Sequence, residues 1–439
     1  MDNSMTTDQK TLVINIMPHG PAYHFSPDEK PDIYWEKPDG TIVGFWKREW
    51  PDLLGEAILK ETERYEWQVW QPDYRADKIY SRTIDTGVTH YLFPAEEKVY
   101  RPGVRNQYGI YSQPIINRLD ELKNNRIILQ LHGFRVPFYS EILRIFGPEK
   151  KIPIFLIGHG MSKAPITEIF GIHRPLTYPC LIVEQLRLGK LLNYVDIISE
   201  QAESALREIR KVYHGRIEKL TMGCDFDFWV PVPSEQVKRE LQYRLNISPD
   251  KTVFLATGNF IPRKQLDKLI ELFLEMKERD DFFLIIAGHG DKENTNSLTT
   301  LIKTLVEHGK AVLHPYVTDE KLRELYWASD IYTLVSTSEG ASVGVMKAIA
   351  CGLPILSTPA GETAEMIEKQ SVGRLIPIDS NENWSRAVIE ILEKGPPRLL
   401  DRQVAREAYH WPEVAGRFLR IYDEFTTVSV EDKDTKRIL

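Results

Sequence analysis

The sequence has few cysteines, no surplus of positive charge and no long apolar run. Its 439 residues include three cysteines, Cys180, Cys224 and Cys351. These are too few and too far apart for a disulfide framework or a cysteine-ligated metal, and they are typical of a reducing compartment. Lys and Arg number 56 against 63 Asp and Glu, a net charge of −7, so no overall basic field indicates a nucleic-acid partner.

The hydrophobic segments are short as well. None approaches the ~18–20 residues of a membrane-spanning helix, and the opening MDNSMTTDQK is polar rather than like a secretory leader. A composition of 42% hydrophobic and 27% charged residues is typical of a globular protein. We therefore expect a soluble, cytoplasmic protein. The basic stretch ALREIRKVYHGRIEK leaves a peripheral contact with the inner face of a membrane open.

In the C-terminal half, apolar runs alternate with amphipathic segments. Leu266, Leu269, Ile270 and Phe273 repeat at helical spacing, and similar segments separate the strand-like runs TVFLATGNF, FFLIIAGHGD, AVLHPYV and DIYTLVSTS. Strands with few polar residues between such helices predict βαβ units and a parallel sheet covered on both faces.

The N-terminal half alternates in the same way but with larger insertions. TLVINIM, EWQVWQP, THYLFPA, RIILQLHGF and KIPIFLIGHG are its strand-like runs. A long segment, HGPAYHFSPDEKPDIYWEKPDGTIVGFWKREW, separates the first strand from the first helix. A connection of that length is usually functional or disordered, and its many aromatic residues argue against disorder.

This alternation predicts an α/β fold with two Rossmann-like domains that face a central cleft. We place an N-terminal domain at residues 12–231 and a C-terminal domain at 232–411. The helix at 412–426 is expected to pack back on the N-terminal domain. The termini, residues 1–11 and 427–439, are predicted to be flexible tails.

The strongest local motif is STSEGASVGVMKAIACG. A strand is predicted to end at Glu339 and a helix to begin at about Ser342. The backbone N–H groups of Ala341, Ser342 and Val343 would then bind an anion at the helix N-terminus. Glu339 would accept hydrogen bonds from hydroxyls rather than bind phosphate, because two anions repel. This combination suits a sugar diphosphate; the alternative is a plain strand-turn-helix with Glu339 as a surface carboxylate.

A second motif, TGNFIPRKQ, follows the first strand of this half. Gly258 permits a tight turn, and Arg263 and Lys264 come just before the next helix. Cations at a helix N-terminus oppose its dipole, which favours a bound phosphate there. Ordinary solvent-exposed side chains remain the alternative.

The region from about 250 to 422 resembles the donor domain of glycosyltransferase family 4, a family of retaining enzymes with the GT-B fold. The motifs that carry the resemblance are spread in order along the chain. They are Gly258 with Lys264, Gly288 and Gly290, Glu339-Gly340 opening a Glu-x7-Glu motif, Ala350-Cys351-Gly352-Leu353-Pro354, Gly361, Glu365 and the closing helix at Trp411, together with MGCDFDFW (Met222 to Trp229) before the domain.

The resemblance implies that the C-terminal domain is the nucleotide-sugar donor domain and that the N-terminal domain lies on the acceptor side. It also implies a role for each matching residue. Lys264 would neutralise the diphosphate, Glu339 would hold hydroxyls of the donor sugar, and His132 would face that sugar, so these three are the catalytic candidates. The remaining donor-binding candidates are Gly258, Asn259, Arg263, Gly288, Gly290, Tyr316, Gly340, Ala341, Ser342, Val343 and Lys347.

Two residues are candidates for acceptor binding. His159 follows the strand after that of His132, although either histidine could instead be a satisfied strand-end residue. Trp46 lies in the long aromatic segment, whose rings could stack on a glycan or form a local hydrophobic cluster. The expected partners are a nucleotide sugar and a glycan or glycoconjugate acceptor.

Three positions depart from the family pattern. Lys347 replaces the second glutamate of Glu-x7-Glu, which in the family holds the ribose, and a lysine cannot accept hydrogen bonds from hydroxyls. Asn259 stands where an arginine is usual, and Ser342 where glycine is usual. The expected activity is a retaining sugar transfer from a nucleoside-diphosphate sugar, with no metal and no other cofactor. The alternatives are a non-catalytic nucleotide-sugar-binding or partner protein, and a sugar-nucleotide epimerase.

Overall fold

The protein is described from a computed structural model. The structure describes residues 10–18, 30–47, 49–101, 107–133, 136–159, 190–211, 213–370, 372–377, 381–396 and 402–426. Two compact units divide the chain: a first unit of residues 1–221 with 411–439, and a second unit of residues 222–410. The second unit begins at Met222 rather than at residue 232, and Cys180 lies outside the described residues.

The strands and helices follow the alternation seen in the sequence. The strands of the first unit are β1 (Thr11–Ile16), β2 (Ile33–Glu36), β3 (Ile42–Phe45), β4 (Tyr65–Asp73), β5 (Tyr80–Thr83), β6 (Thr89–Pro94), β7 (Glu96–Arg101), β8 (Gln107–Tyr111), β9 (Ile127–His132), β10 (Ile154–Ile157), β11 (Ile197–Glu200) and β12 (Arg216–Lys219). Those of the second unit are β13 (Thr252–Asn259), β14 (Phe282–His289), β15 (Ala311–Pro315), β16 (Ile331–Leu334), β17 (Ile355–Ser357) and β18 (Gly373–Leu375).

The described helices lie between these strands or follow the last of them. They are α1 (Trp50–Glu61), α2 (Gln113–Leu122), α3 (Pro137–Phe146), α4 (Glu203–Ile209), α5 (Glu235–Arg244), α6 (Leu266–Glu275), α7 (Lys292–Glu307), α8 (Asp319–Ala328), α9 (Val343–Ala350), α10 (Thr363–Gln370), α11 (Asn381–Lys394), α12 (Arg402–Tyr409) and α13 (Trp411–Thr426). Among the described residues, none of the helices combines the length and apolar character that crossing a bilayer requires.

The first unit is built on an eight-stranded sheet in the order β12-β11-β10-β9-β1-β4-β6-β5. Its strands are parallel except β5, which pairs antiparallel with β6. Leu12, Ile14 and Ile16 of β1 belong to one core cluster. On the other face of the sheet Trp67 and Phe155 contact Tyr422 of α13, since neighbouring residues of a strand point to opposite faces. The last helix of the chain is therefore part of the first unit.

The order of the strands shows where the chain reverses its direction across the first sheet, which is the topological switch point of that sheet. The chain runs from β1 outward to β4 and β6, then returns to β9 on the other side of β1. In open parallel sheets, ligands bind outside the carboxyl ends of the strands at such a reversal. For the first unit this point lies between the ends of β1 and β9, close to Asn15 and His132.

The second unit has a six-stranded parallel sheet in the order β15-β14-β13-β16-β17-β18. Val253 and Leu255 belong to a core cluster on one face, and Phe254 and Ala256 to another. The sheet is thus buried on both faces, as its apolar strands predict. The α/β prediction is confirmed. The switch point here lies between β13 and β16, since the chain turns back after β15.

The expected end of a strand at Glu339 is wrong. β16 ends at Leu334, whose partner Ser357 is the last of the ladder with β17. Beyond it the chain turns to the neighbouring loop, where Thr337 N donates to Arg263 O at 3.0 Å. The polar residues of STSEG therefore form a loop at the carboxyl edge of the sheet.

The long segment after β1 contains a hairpin. β2 and β3 pair antiparallel across a turn at Gly40, whose φ of +82° favours glycine. Trp35 contacts Phe45 and Tyr80, with ring centroids 6.2 and 5.2 Å apart. Trp35 and Phe45 thus belong to a local hydrophobic cluster, the alternative to a glycan-binding surface.

Candidate functional site

Lys264 and Glu339 are brought together at the switch point of the second unit. Lys264 ends a 3₁₀ turn (Pro262–Lys264) that follows β13, and Glu339 lies in the loop after β16. Lys264 Nζ is 2.7 Å from Glu339 Oε1, and Arg263 Nη1 is 3.2 Å from Oε2. We call these three residues the charge cluster. The Glu339 side chain is only 6% exposed, so its alternative reading as a surface carboxylate is wrong.

Opposing effects set the protonation of Glu339. Burial raises the pKa of its carboxyl, but Lys264, Ser336 and Arg263 lower it by more, so the pKa lies below its ordinary value. Glu339 is therefore ionised at neutral pH. The cluster, with two cations and one carboxylate, carries a net charge of about +1, which suits a polyanionic ligand.

Glycine is required where the chain leaves β13 and β14 and the two backbones lie side by side. Gly258 has a φ of +146°, and a Cβ there would lie 3.1 Å from Lys264 Cε. At Gly288 a Cβ would lie 1.8 Å from the Gly258 carbonyl oxygen. The backbones of the loops after β13 and β14 can therefore approach one another only with glycine at these positions, and this approach leaves room for the side chain of Lys264.

The N-terminus of α9 lies directly after the charge cluster in the chain. Ser342 is the N-cap residue, and its side chain makes no capping hydrogen bond. Ala341 and Ser342 are buried, and the Gly340 carbonyl accepts a hydrogen bond from Glu362 N at 2.9 Å. The partial positive charge of the helix N-terminus therefore adds to that of Lys264 and Arg263.

Tyr316 is hydrogen-bonded to Gly288 and Gly290, the two glycines at the end of β14. Its amide donates to Gly288 O at 2.7 Å and its hydroxyl to Gly290 O at 2.5 Å. The residue has a φ of +57°, which is rare for an aromatic residue and is typical of functional sites. Its ring is exposed and lies 6.2 Å from that of His289, the β14 neighbour of Asn259. Asn259 itself ends β13.

Lys347 does not extend into solvent. Its Nζ is 3.1 Å from Asp319 Oδ1, in the first turn of α8, and lies 4.2 Å from the ring centroid of Trp229. Lys347 is 18% exposed and Asp319 35%. Helical side chains lean toward the N-terminus of their helix, so this pair lies near the start of α9.

His132 lies at the switch point of the first unit and is fully buried. Its Nε2 is 3.0 Å from Asn15 Oδ1, and its Nδ1 is 3.2 Å from His159 Nε2. The edge of the Trp50 ring packs against both imidazoles, with centroids 5.0 and 5.3 Å away. Burial, with a smaller effect of His159, lowers the pKa of His132 well below its ordinary value, so this ring is neutral.

The other acceptor candidate lies elsewhere. Trp46 directly follows β3 and is half-buried, and its assignment to the acceptor remains a prediction.

Sequence reasoning missed three residues of these groups. Asn15 is a polar residue in an otherwise apolar central strand, and that contrast is a usable signal. Trp50 begins α1 and packs against His132 and His159. In the sequence it is one of several aromatic residues close together, so nothing distinguishes it from the others. Asp319 follows Tyr316 closely, yet only the structure shows that it pairs with Lys347.

One group offers metal-type ligands among the described residues. Single ligand atoms of Asp225, Asp227 and His410 lie within 4.8 Å of one another. Arg406 Nη1, however, lies 2.8 Å from Asp227 Oδ1. The guanidinium already pairs with one of the two carboxylates, and we assign no ion to this group.

The comparisons with known proteins concern the second unit most directly. Residues 237–411 match the family described as glycosyl transferases group 1. A curated relative, a D-inositol 3-phosphate glycosyltransferase of Mycobacteroides abscessus, is 25% identical over 211 residues, which are 47% of this chain and 46% of the relative. The chain thus spans about half the length of that relative.

Solved structures are similar over nearly the whole chain. A sucrose-phosphate synthase from Thermosynechococcus elongatus matches with a TM-score of 0.69 and 14% identity, covering 96% of this chain and all of the other. HepE of Anabaena, solved in complex with UDP, matches with a TM-score of 0.64 and 12% identity over 95% of this chain and 100% of its own. Residues 237–411 thus match the family of glycosyl transferases group 1, and the similarity to solved structures shows that the chain has the GT-B fold.

Proposed function

We propose that the protein is a retaining glycosyltransferase that moves a sugar from a nucleoside-diphosphate sugar to a hydroxyl of a glycan or glycoconjugate. The observation that carries this proposal is the charge cluster at the switch point of the second unit. It combines two cations for a diphosphate with a buried carboxylate that can only accept hydrogen bonds, which suits sugar hydroxyls. UDP in the similar HepE structure supports this class of donor, and the name of the curated relative supports a glycosyl transfer.

Without a ligand, Glu339 itself neutralises the two cations. An incoming diphosphate would take over Lys264 and Arg263, together with amides at the N-terminus of α9. Glu339 would then exchange its ion pairs for hydrogen bonds from hydroxyls of the donor sugar. Diphosphate binding and sugar recognition are therefore coupled through one carboxylate.

The same cations would stabilise the departing diphosphate during transfer. Positioned charges of this kind are often the largest contribution to catalysis. The departing phosphate would take the proton of the acceptor hydroxyl, so the reaction needs no protein nucleophile. Since Lys264 and Arg263 supply the positive charge, we expect full activity in the presence of a chelator.

The nucleoside would lie beside the pair of Asp319 and Lys347. A lysine alone cannot accept hydrogen bonds from ribose hydroxyls, but the carboxylate of Asp319 can. α9 rises ~1.5 Å per residue, so Lys347 lies about one turn from the helix N-terminus where the phosphates would bind. We infer that Asp319 takes the ribose in place of the missing glutamate.

Thermal unfolding with a panel of nucleoside diphosphates and their sugars tests the donor site. A ligand at 100 times its Kd adds about 2.7 kcal/mol of stability, which raises Tm by several degrees. Lys264→Ala should abolish the shift. Lys238→Ala is the matched control, because Lys238 forms a half-buried pair with Asp330 at the opposite edge of the sheet.

Product analysis with the nucleotide sugar that binds tests the reaction. Transfer to an acceptor with the anomeric configuration retained, seen by proton NMR, is the expected result. Binding without any transfer across acceptor panels would favour the non-catalytic alternative. Interconversion of the nucleotide sugar without an acceptor would favour an epimerase.

A further inference from the structure

Three buried hydroxyl groups connect the sheet of the second unit to the first turn of α9. Thr257 is in β13, Tyr326 in α8 and Tyr332 in β16, and both tyrosines are fully buried. Thr257 Oγ1 lies 3.0 Å from the Tyr332 hydroxyl oxygen and 3.2 Å from that of Tyr326. The Tyr326 hydroxyl donates to the Gly344 carbonyl oxygen at 3.0 Å. We call the hydroxyls of Tyr332, Thr257 and Tyr326 the hydroxyl chain.

The hydroxyl chain lies at the switch point of the second unit. The pairing of β13 with β16 stops at Leu255 and Tyr332, so Thr257, two residues further along β13, lies where the two strands separate. Side chains two residues apart in a strand point to the same face. Leu255 belongs to the core cluster that contains Val345 and Met346 of α9. The Thr257 side chain is thus directed to the face of the sheet that α9 covers.

The number of protons fixes the direction of each hydrogen bond. Burial raises the pKa of both tyrosine hydroxyls above its ordinary value, so each of the three hydroxyls carries one proton. Tyr326 gives its proton to the Gly344 carbonyl, which can only accept. Thr257 therefore donates to Tyr326. Tyr332 donates to Thr257 Oγ1, the nearer acceptor, since the Thr257 carbonyl oxygen is 3.4 Å away.

Gly344 lets α9 approach the hydroxyl chain. A Cβ on Gly344 would lie 2.2 Å from the Tyr332 hydroxyl oxygen and 3.0 Å from Thr257 Oγ1, so any other residue would push the first turn of α9 away from the sheet. Gly344 is the second residue of α9, although glycine is a poor helix former. Close packing against the hydroxyl chain explains glycine at this position.

The start of α9 leaves its amides available to a ligand. Ser342, the N-cap residue, makes no capping hydrogen bond with its side chain. Amides in the first turn have no acceptor within their own helix, and in the described part of the chain no other acceptor is found for those of Val343 and Gly344. The hydroxyl chain therefore holds the first turn through the Gly344 carbonyl and does not occupy these N–H groups.

We propose that Thr257, Tyr326 and Tyr332 are positioning residues that hold the first turn of α9 so that its amides and Lys264 meet the same anion. Thr257 directly precedes Gly258, beside which the Lys264 side chain lies. The hydroxyl chain thus joins the two elements that supply positive charge to the site. That the anion is a diphosphate rests on the proposed function, whereas the alignment of the amides for an anion does not.

Calorimetric titration with inorganic pyrophosphate tests the anion site directly. Tyr326→Phe removes the hydroxyl that bonds to α9, and the Kd for pyrophosphate should rise about tenfold, within the range that a helix N-terminus contributes to binding an anion. Thr257→Val interrupts the hydroxyl chain one bond earlier and should have a smaller effect in the same direction. Thr257→Ser keeps the hydroxyl and should restore the wild-type Kd.

Tyr213→Phe is the matched control for a loss of stability. Tyr213 belongs to the first unit and is buried, and its hydroxyl also donates to a backbone carbonyl, that of Val195, at 3.0 Å. Urea unfolding should show a loss of stability in both Tyr-to-Phe variants, because each loses a buried hydrogen bond. Only Tyr326→Phe should bind pyrophosphate more weakly.

Three results would overturn the proposal. The first is a Tyr326→Phe protein with the wild-type affinity for pyrophosphate, and the second is an equal loss of affinity in Tyr213→Phe. The third is a wild-type protein that does not bind pyrophosphate at all. If the affinities change as expected but no sugar is transferred from any nucleotide sugar, the proposed function fails and the positioning role stands.

Discussion

The two units carry a polar group at the same topological position, yet the two groups are built differently. In the second unit, two cations and a carboxylate meet between β13 and β16. In the first unit, an amide and two imidazoles meet between β1 and β9 without a formal charge on Asn15 or His132. Ion pairs can be exchanged for those of an anionic ligand, whereas the hydrogen bonds of the first unit are made between neutral groups of the protein itself. Only the first arrangement carries the charge that a diphosphate requires.

Buried carboxylates sharpen the contrast between the units. Glu339 lies between cations, and its pKa is lowered. Glu49 precedes α1 in the first unit, where burial and the neighbouring Asp52 raise its pKa to about 7. The same side chain is thus held ionised in one unit and is only about half ionised near pH 7 in the other, which makes the two units differ in their response to pH.

The largest expected effect concerns the charge cluster. Lys264→Ala removes the cation that meets both Glu339 and, in our proposal, the diphosphate. Losing one such donor should lower kcat by about 10²- to 10³-fold, measured as transfer from the nucleotide sugar that binds. If Lys264→Ala keeps the wild-type kcat and nucleotide affinity, the charge cluster of the second unit does not bind the diphosphate.

Glu49→Gln should change the pH dependence of the first unit. The folded-state pKa of about 7 lies above the ordinary 4.5, so the stability linked to Glu49 is fully present below pH 4.5 and is lost as pH rises through about 7. The difference between these two pKa values corresponds to ~3 kcal/mol of unfolding free energy. Urea unfolding at a series of pH values should show this loss in the wild type and not in the variant. If the free energy of unfolding depends on pH equally in both proteins, the prediction is wrong.

Glu339→Gln should act in the opposite direction and in a lower pH range. Because the folded-state pKa of Glu339 is below 4.5, the stability from its ionised form is present above pH 4.5. It is lost as pH falls through the folded-state value. The stability difference between wild type and variant should therefore shrink below pH 4.5. A difference that instead grows there would show that the cations do not hold this carboxylate.

The smallest expected effect concerns the ribose. Asp319→Asn should weaken binding of a ribonucleoside diphosphate about tenfold, because a hydrogen bond to a charged group contributes ~1.5–3 kcal/mol and the neutral amide oxygen would retain part of that. Binding of the 2′,3′-dideoxy analogue should hardly change. Glu235→Gln, in the first turn of α5, controls for the lost charge. Equal losses for both ligands would place Asp319 outside the nucleoside site.

The fold could be predicted from the sequence wherever a strand is buried on both faces. TVFLATGN and FFLIIAGH read as strands because nearly every side chain is apolar, and both are strands. The hairpin of β2 and β3 was missed, although Asp39-Gly40 is a turn signal. The end of β16 was misplaced because polar residues after a strand do not show where its pairing stops.

The candidate site could be predicted only in part. The resemblance named Lys264 and Glu339, but their direct pairing joins residues 75 positions apart and depends on the pairing of β13 with β16. The hydrogen bonds that join Asn15, His132 and His159 depend in the same way on three strands, and Asn15 also donates to one carbonyl of a fourth. Hydrogen-bond direction is a property of the assembled sheet, and no local pattern reveals it.

The position of α13 has a consequence for synthesis of the protein on the ribosome. This helix belongs to the first unit, where Arg64 and Arg216 hold Asp423 and Glu424 at 2.7 and 2.6 Å. All of residues 222–410 are translated before it. Until this helix leaves the ribosome, the face of the first sheet that carries Trp67 and Phe155 therefore lacks the helix that covers it in the folded protein. Domains usually fold in the order of their synthesis, but here the unit that starts first is completed last.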